Sequence, residues 1–318
     1  MADHVITPER ASLHGDFSAA RPPVLTIDPG DRVAFQTLEA GWRLEPPEGD
    51  VDRAVRFAPR DPASDGGHAL CGPVAIRGAR PGMTLAVHIE EIRPGPWGLT
   101  PVGGWDSPSN RRLGVAESAQ LMLRWTIDPD AGICRDQFGH EVATHPFMGV
   151  MGLPPAAPHP VPTAPPRPQG GNLDCRELVA GSTLFLPVAV EGALFSTGDG
   201  HAAQGDGELC GTAIECPMER VVLRFELLDD MPLTTPRART PTDWLSLGFH
   251  EDLDEAVGLA TDDMIALIGD QLGIDRMQAM GLASLVVNLR VTQMVNGVKG
   301  GHALLAHEAL ARLAGRPR

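Results

Sequence analysis

Three segments of this chain set a glycine turn directly before alternating apolar residues, and that pattern restricts the fold more than any other feature. They run from Leu25 to Phe35 (LTIDPGDRVAF), from Ala79 to Ile89 (ARPGMTLAVHI) and from Val179 to Leu186 (VAGSTLFL). Alternation of this kind marks a strand with one buried face, and Val221 to Leu227 (VVLRFEL) continues the series. The spacing is too irregular to establish an internal duplication. With 36 glycines and 30 prolines in 318 residues, tight turns between short strands are favoured over a helical bundle, so the chain reads as mainly β.

The period changes after about residue 240. Apolar residues recur at Val257, Ala260, Met264, Ile265, Leu267, Ile268 and Leu272, which predicts an amphipathic helix over 253–272. Asp275 is placed to cap a second helix from Arg276 to about Val287. Leu289 to Val295 then alternates as a strand, and Asn296-Gly297 supplies a turn. The expected organisation is a single domain over 1–318, with a β core over about 1–230 and the helices and closing strand over about 240–318. Nothing in that last part reads as catalytic. The proline-rich run from Pro154 to Pro168 reads as a domain linker or a loop within one architecture.

A formal charge of -15 argues against nucleic acid or an anionic membrane surface as partner, because either would be repelled. There is no signal-peptide pattern and no apolar run long enough to span a bilayer. Five cysteines without CxxC spacing read as reduced thiols, and together these features predict a cytoplasmic protein.

Two polar clusters stand out as chemistry. In Gly198-Asp199-Gly200-His201-Ala202-Ala203-Gln204-Gly205-Asp206-Gly207-Glu208, small residues leave the polar side chains room to converge. Gly170-Gly171-Asn172-Leu173-Asp174-Cys175-Arg176-Glu177-Leu178 repeats the recipe upstream. The motifs GGNLDCREL and GSTLFLPVAVEGALFSTGDGHAAQGDGELCGTAIE resemble the acetamidase/formamidase family. The similarity continues in GGHALCGPVAIRGARPGMTLAVHIEEI and HPFMGVMGLPPAAP and covers most of the chain. It runs across Pro154 to Pro168, which favours the loop reading there. The resemblance implies a β-sandwich of jelly-roll type, an oligomer, and hydrolysis of short amides to a carboxylate and ammonia.

The sequence narrows how such a hydrolysis can proceed. The single lysine, Lys299, lies in neither a Ser-Ser-Lys nor a Cys-Glu-Lys motif, and there is no GxSxG elbow and no HExxH helix. Direct attack by water is therefore favoured over a covalent route, with Cys175 or Cys210 paired to His201 as the thiol alternative. Water needs activation, which a divalent metal provides. Asp174, Asp199 and His201 are the candidate ligands, because Asp199 and His201 are two apart and share a face if extended; mixed oxygen and nitrogen donors suit zinc or a neighbouring first-row metal. An Asp-x-His pair also holds turns through side-chain to backbone hydrogen bonds.

Glu208 is the candidate acid for the leaving nitrogen, with Asp206 as second carboxylate, although Glu208 can equally pair with Arg176. Asn172 and Gln204 are candidates to hold the amide, and His68 and His145 are further substrate-binding candidates. An aromatic content of 4% predicts a small pocket suited to formamide and acetamide. The alternative function is a non-catalytic β-sandwich that binds a small ligand or a protein partner.

Overall fold

Of the strands that follow the glycine turns, Arg32–Thr37 keeps the expected alternation, whereas residues 84–87 and 184–187 are buried at every position, so those strands are covered on both faces rather than one. In Arg32–Thr37 it is Val33, Phe35 and Thr37 that face inward. The computed structural model describes residues 2–47 and 53–315. Its strands form two large sheets, one of nine and one of eleven strands.

The nine-stranded sheet has the order Asp3–Ile6, Arg32–Thr37, Met218–Leu228, Thr84–Pro94, Thr183–Pro187, Arg237–Arg239, Asp243–His250, Lys299–Ala306, Val287–Gln293. All its pairings are antiparallel except Asp3–Ile6 with Arg32–Thr37. The path through the eleven-stranded sheet runs Glu141–Ala143, Ile133–Asp136, Leu121–Asp128, Trp97–Val102, Glu215–Cys216, Phe195–His201, Phe147–Gly152, Gly170–Asn172. Leu70–Ile76 also pairs with Phe195–His201 and carries the short strands Leu13–His14 and Leu25–Ile27.

The sheets face each other across an aromatic contact. Phe195 of the eleven-stranded sheet meets Phe35 and Phe225 of the other, with ring centroids 6.4 and 5.1 Å apart and edge-on geometry. Edge-to-face pairs of this kind add to the burial term, and all three rings are fully shielded from water. The architecture is thus the expected β-sandwich.

Helix Leu253–Leu272 has the predicted bounds and is capped by Asp252. It lies directly on strand Asp243–His250, because a Cβ on Gly248 would stand 2.1 Å from the Ala256 carbonyl oxygen. Only glycine permits that approach. Helix Arg276–Val286 starts with Asp275 in a capping box with Gln278 and packs on the first helix. Two shorter helices, Pro108–Leu113 and His307–Leu313, add one or two turns each, too few for periodicity to announce them. The strand expected at 289–295 is Val287–Gln293, because the chain leaves the helix directly into the sheet edge. Within the proline-rich loop, Val161–Pro162 pairs with Asp16–Phe17. No helix among the described residues is long and apolar enough to cross a membrane.

Replacing Phe195 by Ala removes the ring that links the two sheets and leaves a cavity, so Phe195→Ala should lower unfolding free energy by about 3–5 kcal/mol. Chemical denaturation of both proteins measures this, and a loss well under 1 kcal/mol would show that the sheets hold together without it.

Candidate active site

Strand Phe195–His201 changes neighbours at Asp199. Before it, Phe195, Thr197 and Gly198 pair with Leu70–Ile76; after it, Gly200 and His201 pair with Cys216 and Glu215. Asp199 bridges the break in left-handed backbone, with φ 58°. On the other flank Phe147 lies opposite His201 and Val150 opposite Gly198, and Val150–Gly152 carries Gly170–Asn172. Asn172 and the following Asp174 therefore arrive beside Asp199 and His201. Six non-glycine described residues have positive φ, and three of them are Asp174, Asp199 and Glu208. Backbone strain is concentrated where the acids converge, as it is at functional sites in general.

The result is a buried cluster of four carboxylates around one imidazole. His201 is fully buried, and its Nε2 lies 3.3 Å from Asp199 Oδ1 and 3.1 Å from Glu215 Oε2, without hydrogen-bond geometry to either. The Phe147 ring stands edge-on to the imidazole at 5.0 Å. Asn296 Nδ2 donates to Asp174 Oδ2 at 2.8 Å, Gln204 Nε2 donates to the Asp174 carbonyl at 2.9 Å, and the Ala213 amide donates to Glu215 Oε1 at 2.8 Å. Left over, buried and without a hydrogen-bond partner, are Asp174 Oδ1, both His201 nitrogens, Glu208 Oε2, Glu215 Oε2, Asn172 Oδ1 and Gln204 Oε1. Two of these seven atoms, His201 Nε2 and Glu215 Oε2, face each other as an ion pair; buried polar atoms are almost always satisfied, so the other five in one place point to a common partner.

Donor atoms of Asp174, His201 and Glu208 lie within 4.8 Å of one another, and so do those of Asp199, His201 and Glu215. These are spacings at which a metal ion can be shared, and oxygen donors with one imidazole form a ligand set for a divalent cation. Space is reserved for them: a Cβ on Gly149 would stand 2.5 Å from Asp199 Oδ2, 2.8 Å from His201 Cε1 and 2.9 Å from Asp174 Oδ1. The Gly149 carbonyl also accepts the amides of Leu173 and Asp174.

Protonation follows from this crowding. Burial, with the charges of Asp199 and Glu215 overcoming the attraction of His201, raises Asp174 to about 8. Burial and then Asp174 push Glu208 well above the carboxylate range, and burial raises Glu215. Asp199 moves the other way: burial opposes its charge, yet His201 and His68 lower it. His201 is raised, because Glu215 and Asp199 outweigh the cost of burying its charge. Proton sharing among carboxylates is the response of like charges held out of water.

Glu208 and Gln204 also line a cavity of about 520 Å³, with Trp125, Val142, Ile214 and Leu209 among its apolar walls and His145, Arg176 and Asp206 among its polar ones. It is larger than the low aromatic content suggests, because aliphatic side chains and one tryptophan build the walls. The cluster thus has a way out to substrate-sized space.

A second group lies just beyond Asp174. Cys175 Sγ is 3.4 Å from Glu177 Oε2, His302 Nε2 is 3.5 Å from the same oxygen, and Arg290 donates to Glu177 Oε1 at 2.8 Å. These three residues can also hold a metal. Burial and then Glu177 push the Cys175 thiol well above its ordinary value, which is unfavourable for a nucleophile. Neither Cys175 nor Cys210 hydrogen-bonds His201; Cys210 instead donates to the Thr212 carbonyl at 3.3 Å.

Asp174, Asp199, His201, Glu208, Asn172 and Gln204 are therefore brought together. Asp206 is not: it is exposed, 3.8 Å from Arg290 Nε, at the cavity wall. His145 lines the cavity, while His68 Nδ1 pairs with Thr163 Oγ1 at 2.9 Å beside a different hollow. The alternative salt bridge of Glu208 with Arg176 is absent among the described residues. Sequence reasoning missed Glu215 and Asn296. Glu215 reaches the cluster because its strand returns opposite His201, and Asn296 because the hairpin turn at 294–298 folds over Asp174. Spacing carries no signal for the first; for the second, Asn296-Gly297 is a turn signal in its own right and does not tell where the Asn296 side chain reaches.

The model of the acetamidase/formamidase family matches residues 113–297, a stretch that contains all four carboxylates, His201 and Asn296. An acetamidase of Mycolicibacterium smegmatis is 31% identical over 262 residues, 64% of this chain and 63% of the relative. A formamidase of Methylophilus methylotrophus is 26% identical over 264 residues, 64% of this chain and 61% of the relative. The chain thus spans about three-fifths of the length of these curated relatives. The crystal structure of an acetamidase from Bacillus halodurans superposes with a TM-score of 0.85 at 25% identity, covering 97% of this chain and 99% of that one.

Because Gly149 faces three cluster residues at once, Gly149→Ala should splay them while the sheet persists. Titrating chelator-treated protein with Zn²⁺ should show affinity reduced at least about tenfold relative to the parent. Equal affinity would show that the cluster is not a metal site or that it tolerates the methyl group.

Proposed function

The chain belongs to the acetamidase/formamidase family, and on that premise we propose that it hydrolyses short aliphatic amides, formamide and acetamide among them, at the cluster around His201. The observation that carries this reading is the set of unpartnered buried oxygens and nitrogens that opens through Glu208 and Gln204 into the 520 Å³ cavity. A non-catalytic sandwich would have no use for four carboxylates held out of water.

Asp174, Asp199 and His201, joined by Glu215, are the residues to hold a divalent ion, zinc first. Such an ion, when bound, supplies Lewis acidity to polarise a carbonyl and to make water a stronger nucleophile. The remaining residues position the amide and move its proton. Gln204 has its Nε2 committed to the Asp174 carbonyl, so only its Oε1 is free, and that oxygen accepts from the substrate NH₂. Asn172 Oδ1 is a second acceptor for the same group. Glu208, with its proton affinity raised by burial and by Asp174, holds a proton for the departing nitrogen. Water adds to the amide carbon, the C–N bond breaks, nitrogen leaves as ammonia, and the acyl group leaves as carboxylate. His145 and Asp206 lie along the approach, and His68 acts only at a distance through the charge of Asp199.

The five free thiols fit a reducing, cytoplasmic setting. Exposed Met277, Met280, Leu285 and Leu289 give helix Arg276–Val286 and the edge strand Val287–Gln293 an apolar face for a homo-oligomer.

Purified protein should release ammonia from formamide and acetamide and carry a divalent ion. Strong chelation should abolish activity and zinc restore it; full turnover by demonstrably metal-free protein would remove the metal from the mechanism.

Glu208→Gln should retain the fold and the bound metal while kcat drops roughly a hundredfold or more. Loss of the metal instead would make Glu208 a ligand, and early melting with normal turnover per folded molecule would make it structural.

A further inference from the structure

Arg176 is the one strong cation in the wall of the cavity that Glu208 opens into, and its guanidinium has no hydrogen-bond or ion-pair partner among the described residues. Arg80, Arg112 and Arg239 also lack partners among the described residues, but they are exposed, whereas Arg176 is half-buried. Arg290, close by, is engaged with Glu177 at 2.8 Å and lies 3.8 Å from Asp206, so the neighbouring acids are already paired with another arginine. Arg176 follows directly on Asp174 and Cys175, both fully buried, which anchors its backbone at the edge of the cluster. A half-buried guanidinium held at a fixed place and left without a counter-ion is a ready partner for a carboxylate, which it binds through two parallel N–H donors.

The cavity is also several times larger than acetamide. A primary amide placed against Gln204 and Glu208 leaves most of the 520 Å³ unfilled, and Arg176 lines the same cavity. We infer that the preferred substrates are primary amides whose far end carries a carboxylate, the monoamides of short dicarboxylic acids, with Arg176 binding the carboxylate while the amide sits at the cluster. This rests on the amide-hydrolase reading above and adds a substrate class to it. Arg176 is then a specificity-determining residue that acts mainly on KM. Asp206, on the same wall, disfavours anions in general, but its proximity to Arg290 offsets its charge.

The test compares neutral and anionic amides of matched length: propionamide, butyramide and valeramide against malonamate, succinamate and glutaramate, with ammonia release as readout. In the parent protein kcat/KM for the best anionic amide should exceed that of its neutral counterpart by about tenfold or more, and Arg176→Gln should reduce that ratio by a similar factor, since a site built to pair a charged group discriminates strongly against its absence. Arg176→Lys should keep part of the preference, which separates loss of charge from loss of fold. A ratio at or below one in the parent, or a ratio unchanged by Arg176→Gln, would overturn the inference while leaving amide hydrolysis intact. If no amide is turned over, the hydrolase reading fails instead, and calorimetric titration with succinate still decides the anion site: binding that weakens in Arg176→Gln supports it, and no binding to the parent overturns it.

Discussion

Four carboxylates packed around one imidazole in a dry interior are the constraint on which the rest of this structure depends. Two like charges about 4 Å apart repel by roughly 4 kcal/mol even at an effective dielectric of 20. Directly against them stand His201, the Asn296 amide and the Ala213 N–H, too few for four charges, so the cluster persists by holding protons on Asp174, Glu208 and Glu215 or by enclosing a cation. Either state makes the pocket unlike any merely polar loop. The first keeps a carboxylic acid available as a proton donor; the second makes the acids ligands.

Such a cluster needs rigid walls, and the sandwich supplies them. The strand Phe195–His201 has its first residue locked between the sheets by Phe35 and Phe225, and its last residue in the cluster. Core packing and site geometry are therefore carried on one seven-residue element. Gly149 on the adjacent strand leaves the void that the acids occupy, while the left-handed backbone at Asp174, Asp199 and Glu208 turns side chains toward it that a regular strand would point elsewhere. Stability and chemistry pull in opposite directions here, and the hydrophobic sheets absorb the difference.

The C-terminal part shows the same coupling from the other side. Its helices pack the nine-stranded sheet as amphipathic patterning requires, yet the hairpin that follows them reaches across to the cluster. Gly207 donates to the Thr292 carbonyl and accepts from the Met294 amide, which fixes the loop bearing Glu208, and Asn296 then caps Asp174. His302 meets Glu177 on the far side of Asp174. A segment that reads as packing material is also part of the site's scaffold.

Much was legible along the chain. Alternation gave the strands at Val33, Leu85 and Leu223, and the 3.6 period with Asp275 gave both long helices, because these are local properties that each segment carries by itself. Clustering of short polar residues among glycines picked out Asn172, Asp174, Asp199, His201, Gln204 and Glu208, because small neighbours are a local requirement for convergence. What the sequence could not decide is which distant segments meet. Glu215 entered the cluster, Asp206 turned to solvent beside Arg290, and Asn296 crossed from a hairpin more than a hundred residues away, all through strand order and register. Those are set by how two whole sheets bury their faces against each other. Local patterning alone determined the elements and the candidate residues of this protein; only the tertiary structure decided which of them share one dry pocket, because a charge's neighbours in space depend on the packing of the entire sandwich.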